Sequence, residues 1–355
     1  MRHLFIVNPA SGTANKDEII RIIDAFATKQ ALQYRIHRTS APFDAEETTR
    51  KAAEESPEDI VIYSCGGDGT LNEIVNGARG ANNVIIGIVP IGSGNDFIKN
   101  FAPDNAFPQT RDTLQTGEAD AKPGDTEHPD PDAVAPTYID SGKGIASELK
   151  PFLDLKAQIE GAVVTIDLLE VNQRLAINMA NVGLDAVVAR NMTKFRKLGV
   201  LHNELPYSAA VLVSILRPLN RKVHLTIDDN PQQAVSLTIL VGGNGSYYGG
   251  GYKAAPQASL DDGLLDLSLI SPVNHLELPK LLSLYKQGQH LQHPTFEGRL
   301  LYTKCHKWQV HSQRELTYAV DGETSTAKEI TVTMKPHCQR ILIPRGLHMA
   351  GSGQA

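Results

Sequence analysis

Apolar and polar residues follow two distinct rhythms along the first hundred positions. Leu4 to Val7 is a short apolar run, and the turn-forming string Asn8-Pro9-Ala10-Ser11-Gly12 follows it. From Lys16 to Lys29 the rhythm becomes helical, with Ile19, Ile22, Ile23 and Phe26 on one face. Tyr34–His37 reads as a second strand and Asp44–Glu55 as a charged surface helix. Asp59–Ser64 is a third strand, rich in β-branched residues that suit a pleated surface. Leu71–Ala78 reads as a helix and Val84–Val89 as a fourth strand. Near-continuous apolar strands alternating with helices predict a parallel sheet covered on both faces.

The texture changes after the first hundred residues. Between Glu118 and Asp140 there are seven acidic residues, one lysine and four prolines, a composition that buries no core and reads as an insertion or linker over 117–161. From 162 onward short strand-like runs dominate, among them Val163–Val171, Arg174–Gly183, Ala234–Gly243, Leu264–Ile270, Lys307–Ser312, Leu316–Glu323, Glu329–Met334 and Arg340–Pro344. Many alternate apolar and polar residues, which predicts antiparallel sheets with one solvated face. Helical patterns interrupt them at Asp185–Leu216 and Leu276–Gly288. The expected organisation is an α/β domain over 1–116 with 339–350 returning to it, the insertion 117–161, a mainly β domain over 162–338, and a frayed tail 351–355. A cleft between two such domains is a common place for an active site.

Composition narrows the function classes. The chain has 355 residues, 41% of them apolar, and a net charge of −6, which argues against a nucleic-acid binder. Cys65, Cys305 and Cys338 are too few and scattered for a disulfide framework or a zinc cluster, so a reducing, cytoplasmic setting fits. No apolar run approaches the roughly 18 residues of a membrane span. A basic-flanked apolar stretch, Tyr207–Leu216 between Arg190, Lys194, Arg196, Lys197 and Arg217, Arg221, Lys222, reads either as a solvated face or as a membrane-surface contact. His290 and His293 stand three apart with no third metal ligand nearby.

The strongest chemical signal is Gly66-Gly67-Asp68-Gly69-Thr70-Leu71-Asn72-Glu73, at the end of a buried strand and the start of a helix. Glycines there let backbone approach a ligand, and the free N–H groups of a helix start attract phosphate. Thr70 can donate a hydroxyl hydrogen bond, and Asp68 implies a metal, a hydroxyl or a water between itself and a phosphate. The loops Asn8–Gly12 and Ile91-Gly92-Ser93-Gly94-Asn95-Asp96 also follow parallel strands, so all three should emerge at one sheet edge. No GxxxxGK[ST] or GxGxxG string is present and no lysine follows a glycine loop, so amides and hydroxyls would hold a nucleotide. Two acidic strings in the β domain stay open. Ser259–Asp266 is either a Mg²⁺ turn or an Asp-Gly hairpin corner, and Asp321-Gly322-Glu323 either places a proton acceptor at a strand end or is another corner.

Together these strings resemble the diacylglycerol kinase catalytic-domain family, in particular the bacterial soluble lipid kinases, with sphingosine and ceramide kinases more distant. The resemblance covers roughly residues 2–116 and 163–345 and is most specific at Gly66–Glu73, Pro90–Phe97, Tyr247–Gly251 and Asp261–Asp266. It implies an N-terminal α/β domain, related to the NAD-kinase and phosphofructokinase groups, that binds ATP, and a C-terminal β-sandwich that binds lipid. Carried over by position, Asn8, Pro9, Ala10, Ser11, Gly12, Thr39, Gly66, Gly67, Asp68, Gly69, Thr70, Leu71, Asn72 and Ser93 would contact ATP. Glu323 would accept the proton of the lipid hydroxyl, and Asp68 would reach a catalytic Mg²⁺ directly or through water. A structural Mg²⁺ is implied in the turn Ser259–Leu264, with the Asp262 carboxylate and the carbonyls of Ser259 and Leu264 as ligands; relatives often have Asp where Ser259 stands. The insertion departs from the family pattern, and its negative charge suggests that it faces away from a membrane or regulates access. The expected activity is ATP-dependent phosphorylation of diacylglycerol or a similar lipid alcohol, with peripheral membrane contact. An NAD-kinase-like enzyme and a non-catalytic nucleotide or lipid module are the alternatives, and the oligomeric state stays open, with a homodimer one option.

Overall fold

The computed structural model describes residues 1–104, 137–142, 145–197 and 220–350 of the chain, with side chains beyond Asn191 left aside in the helix that ends at Lys197. In its first part β1 (Arg2–Val7), β2 (Gln33–Arg38), β3 (Ile60–Gly66) and β4 (Val84–Pro90) alternate with α1 (Lys16–Lys29), α2 (Asp44–Glu55) and α3 (Asp68–Gly77). The strands pair in the order β2-β1-β3-β4, all parallel. Successive side chains of a strand point to opposite faces, so each strand feeds two cores. Leu4, Ile6, Ile60 and Ile62 meet Leu71 and Ile74 of α3 on one face. Phe5, Val7, Val61 and Tyr63 meet Ile19, Ile23 and Phe26 of α1 on the other. Asn15 caps α1 by accepting the N–H groups of Asp17 and Glu18, which satisfies donors the helix itself cannot. Full burial of each such side chain stabilises the fold by about 1.5–3 kcal/mol.

The remainder supplies β5 (Phe101–Pro103), α4 (Leu155–Ile159), β6 (Ala162–Val171), β7 (Arg174–Ala176), β8 (Met179–Gly183) and α5 (Leu184–Lys197). It continues with β9 (Arg221–Ile227), β10 (Gln233–Leu237), β11 (Ile239–Gly243), the short pair β12 (Tyr247–Tyr248) and β13 (Tyr252–Lys253), and β14 (Leu265–Ile270). After α6 (Leu278–Lys286) come β15 (Leu300–Cys305), β16 (Lys307–Val320), β17 (Glu323–Ile343) and β18 (Leu347–Met349). The main sheet runs β15-β14-β11-β8-β16-β17-β4-β3-β1-β2, so the α/β part and the mainly β part share one set of hydrogen-bonded strands. The 21-residue β17 joins them: it is antiparallel to β16 along its first part, and at Arg340 and Ile341 it pairs parallel with β4.

Three sequence expectations need correction. The runs Glu329–Met334 and Arg340–Pro344 belong to one strand, because its register on β6 shifts between Lys335 and Gln339, where His337 has a φ of 46°. The same holds for β16, whose register on β17 shifts between His311 and Leu316; an irregularity of this kind breaks the period-2 alternation that marks a strand. Secondly, β8, β11 and β14 have no solvated face, whereas β9 and the first part of β16 alternate as expected. Leu240 of β11 enters the sandwich core, whereas Ile239 and Val241 pack beneath α6 with Leu278, Leu281 and Tyr285. Thirdly, the described part of 117–161 is not a core-free linker: Ile139, Phe152, Leu153 and Leu155 are at most 2% exposed, and Gln158 donates to the carbonyls of Ile88 and Phe152. Ile139 stands at the end of the acidic, proline-rich stretch, and Phe152, Leu153 and Leu155 come after it. The rest of that stretch, the apolar segment Tyr207–Leu216 with Arg217, and the tail 351–355 lie outside the described residues.

Candidate active site

Parallel pairing brings the carboxyl ends of β1, β2, β3 and β4 to a single edge, and the loops that leave them are tied to one another. The ladder continues past the strand ends, with Asn8 N–H donating to Cys65 O at 3.0 Å and Thr39 N–H to Val7 O at 3.0 Å. The N–H groups of Ile91 and Gly92 both donate to Gly66 O, at 3.0 and 3.1 Å. Asn8 Nδ2 donates to Thr70 Oγ1 at 2.9 Å, and Asn8 Oδ1 accepts the N–H of Ala10 at 2.9 Å. Two glycines are required by these approaches. Gly12 has a φ of +56°, and a Cβ there would lie 2.0 Å from Ile91 O; one on Gly92 would lie 2.3 Å from Gly67 Cα. Gly67 stands at the N-cap of α3 and offers no side-chain acceptor, which leaves first-turn N–H groups uncapped by any side chain. That is the cradle expected of an anion site.

The side chains in these loops divide into two groups. Ser93, Pro9 and Ala10 are exposed and Ser11 half-buried, all on the outer side of the loops. Thr70 is 4% exposed beneath them, and its hydroxyl receives Asn8, which leaves its own hydrogen to donate. Leu71 packs in the core and sends its N–H to Gly67 O, so it has no evident group free for a nucleotide. Asn72 is likewise turned away: it is 1% exposed and donates to Leu175 O at 2.9 Å and to Asp321 Oδ2 at 2.8 Å in the β part. For these two the helix decides, because α3 starts at Asp68 and its inner face already holds them by the first turn.

Asp68 orients the third loop. Its carboxylate accepts the N–H of Asp96 at 2.9 Å, and burial, followed by the nearby charge of Asp96, pushes its pKa up to about 6. Asp96 in turn accepts the N–H of Gly250 at 2.7 Å from the β part and pairs with Lys99. Lys99 is the lysine nearest this third loop in sequence, and it is engaged with Asp96. It lies beyond the glycines and reaches back by the i,i+3 spacing of a helical turn, and its ammonium is close to Gly251. Asp321 accepts four hydrogen bonds, from the N–H groups of Ile177, Asn178 and Met179 and from Asn72, all between 2.8 and 3.0 Å. It is therefore a half-buried brace between the two parts of the molecule, two positions before Glu323. Asp96 and Asp321 were visible in the sequence as acids beside glycine turns, but their partners Gly250 and Asn72 are 154 and 249 positions away.

Glu323 opens β17 and is exposed, and its Oε1 lies 3.7 Å from where a Cβ on Gly69 would stand. The β part thus presents a carboxylate to the glycine loop of the α/β part. Among the described residues no three His, Cys, Asp or Glu side chains gather as a metal site. A Mg²⁺ at this edge fits only as the partner of a polyphosphate, whose oxygens complete its shell beside one carboxylate. The pKa of Asp68 is raised first by burial and then by the neighbouring acids, so negative charge there is costly.

The turn Ser259–Leu264 is arranged differently. Ser259 Oγ donates to Asp261 Oδ1 at 2.8 Å, Asp262 Oδ1 accepts Leu264 N–H at 3.0 Å, and Gly263 N–H donates to the buried Asp167 at 2.7 Å. The other oxygen of Asp262 is bonded to the ammonium of Lys304. The carboxylate of the expected Mg²⁺ set is thus already paired with a cation, and Ser259, Asp262 and Leu264 do not fit a metal centre. His290, also outside any metal set, is 1% exposed against Tyr285, Phe296 and Tyr302. Cys65 and Cys305 are buried free thiols.

Comparison with known proteins bears on the same two regions. Residues 2–123 match the diacylglycerol kinase catalytic domain, and residues 178–343 match the YegS C-terminal NAD kinase beta sandwich-like domain. The chain is similar to a diacylglycerol kinase of Staphylococcus carnosus, 26% identical over 91% of this chain and 88% of that protein. It is also similar to one of Bacillus subtilis, 25% identical over 91% of this chain and 89% of that protein. A crystal structure of a diacylglycerol kinase from Bacillus anthracis superposes with a TM-score of 0.62 at 17% identity, covering 97% of both chains, and so shares the fold. No described helix is long and apolar enough to cross a membrane.

Proposed function

This chain belongs to the diacylglycerol kinase catalytic-domain family, and from that membership we propose that it moves the γ-phosphoryl group of ATP to the hydroxyl of diacylglycerol or a related lipid alcohol. One observation carries the reading: Glu323, from the β part, reaches the glycine loop Gly66–Gly69 of the α/β part. Phosphoryl transfer asks mainly for positioning and charge stabilisation. The uncapped N–H groups at the start of α3, with the loops Asn8–Gly12 and Ile91–Asp96, hold the triphosphate at the sheet edge. The acceptor hydroxyl enters between Gly69 and Glu323. Its oxygen bonds to the γ-phosphorus as the bridge to the β-phosphate breaks, ADP leaves, and Glu323 takes the hydroxyl proton. Asp68 would stand beside a Mg²⁺ bound with the nucleotide, and the ion would supply charge neutralisation. Asp321, Asp96 and Lys99 keep the two parts in register so that the carboxylate stays in reach. A lipid acceptor places the reaction at a membrane surface, which makes the association peripheral.

The test is transfer from radiolabelled ATP, with purified protein, to a panel of lipid alcohols in vesicles, and to NAD as a separate acceptor. Label in a lipid, lost in Glu323→Gln while nucleotide binding persists, is the expected result. Absence of lipid labelling, or transfer unchanged in Glu323→Gln, overturns the proposal, and label on NAD alone transfers the site to the other reading.

A further inference from the structure

We propose that Lys304 is the resident cation of the acidic turn, so that this chain carries as a side chain the positive charge that the family resemblance assigns to a structural Mg²⁺. The antiparallel register of β14 and β15 sets Asp266 directly opposite Lys304, and opposed residues of such a pair share one face. From there the ammonium bonds to Asp262, approaches Gln257 O at 3.2 Å and forms an ion pair with Asp266 Oδ2 at 3.2 Å. An ammonium has three N–H donors and no acceptor, and three oxygens surround this one. The remaining oxygen of Asp266 accepts Tyr302 OH at 2.7 Å, and that of Asp262 accepts Leu264 N–H. Both oxygens of Asp262 and one of Asp266 therefore hold a donor supplied by the chain, and Asp266 Oδ2, which has no hydrogen bond, is met by the ammonium as an ion pair.

Burial strengthens the argument. Asp266 is 0% exposed on its side chain and Lys304 33%. A buried carboxylate without a counter-charge is costly, and the ammonium of Lys304 supplies that charge to Asp266 at 3.2 Å. A metal placed on the same oxygens would meet the ammonium and be repelled by it. The turn is thus metal-independent, held by Lys304 from one side and by Asp167, which takes the N–H of Gly263, from the other.

Thermal melts of the full chain without nucleotide, in excess EDTA and in millimolar Mg²⁺, test this, together with elemental analysis of the purified protein. The wild type is expected to melt at the same temperature in both and to hold no stoichiometric Mg²⁺. Lys304→Met is expected to melt roughly 3–8 °C lower in EDTA and to regain part of that loss with Mg²⁺ or Ca²⁺ but not with Na⁺ at matched ionic strength. The double variant Asp262→Asn/Lys304→Met, which removes one of the two carboxylates along with the ammonium, should recover part of the loss and serves if the single variant does not fold. A wild-type Tm that falls in EDTA and returns with Mg²⁺, or stoichiometric Mg²⁺ in the purified chain, overturns the inference. So does a Lys304→Met variant as stable as the wild type in EDTA. Neither readout depends on phosphoryl transfer, so its failure and that of the kinase reading are separately visible.

Discussion

The glycine loops at the sheet edge and the acidic turn at Ser259–Asp266 look alike in sequence: each is a short run of glycine with aspartate beside a strand. In three dimensions they differ in how much bonding capacity is left unused. At the loops, first-turn N–H groups of α3 have no side-chain cap, Ser93 is exposed, and Glu323 stands free beside Gly69. At the turn, Asp262 holds Leu264 and Lys304, and Asp266 holds Tyr302 on one oxygen and faces the ammonium of Lys304 with the other, which has no hydrogen bond. A ligand is recruited by donors and acceptors that the chain does not itself satisfy. The lesson is that an aspartate-rich string is evidence of a site only after its hydrogen bonds have been accounted for.

The largest expected effect that sharpens this contrast is at Glu323. Glu323→Gln should lower kcat about 10²–10⁴-fold with Tm unchanged, because the side chain is exposed; equal activity would place the proton acceptor elsewhere. Next is the brace beneath it. Asp321→Ala strands the N–H groups of Ile177, Asn178 and Met179 and the amide of Asn72, and should cost about 3 kcal/mol of stability, read by denaturant unfolding. Asp321→Asn, which keeps the shape and one acceptor, should lose about half as much.

The pH response of Asp68 comes third. Its pKa stands at about 6 in the fold against the ordinary 3.8. Between these values the folded chain retains a proton that the unfolded chain has released, so the contribution of this group is full below 3.8 and is lost as pH rises through about 6. The stability gap between wild type and Asp68→Asn should therefore narrow from pH 4 to pH 7, by no more than about 3 kcal/mol. A gap that widens with pH would contradict a buried, acid-crowded carboxyl. The smallest effect is expected at the turn: Asp262→Asn should change stability by less than about 1 kcal/mol, since the pair with Lys304 is partly exposed, and should leave transfer within about 3-fold. A large loss of turnover there would restore a functional role to the turn.

Sequence reading succeeded where chemistry is local. The bounds of α1 and α2 follow from one apolar face and from charge pattern, and the structure has them at Lys16–Lys29 and Asp44–Glu55. Parallel pairing of the first four strands follows from apolar runs separated by helices. It failed where an irregularity interrupts the period, as in β16 and β17, and where a composition was extended past its end, as at Phe152–Gln158. It also failed at α3, taken to begin at Leu71: the helix starts at Asp68, which is why Leu71 and Asn72 face inward.

What the sequence determined by itself is which backbone can come close to a phosphate, because glycine at 12, 66, 67, 69 and 92 is a property of each residue alone. What only the tertiary structure decided is which charges remain to be used. Asp68 and Asp96, Asn72 and Asp321, and Asp262 and Lys304 find their partners across 28, 249 and 42 positions respectively. A carboxylate holding its donors and one awaiting a ligand are written with the same letter; the difference is set by distance in space, which β17 fixes by running through both parts of the molecule.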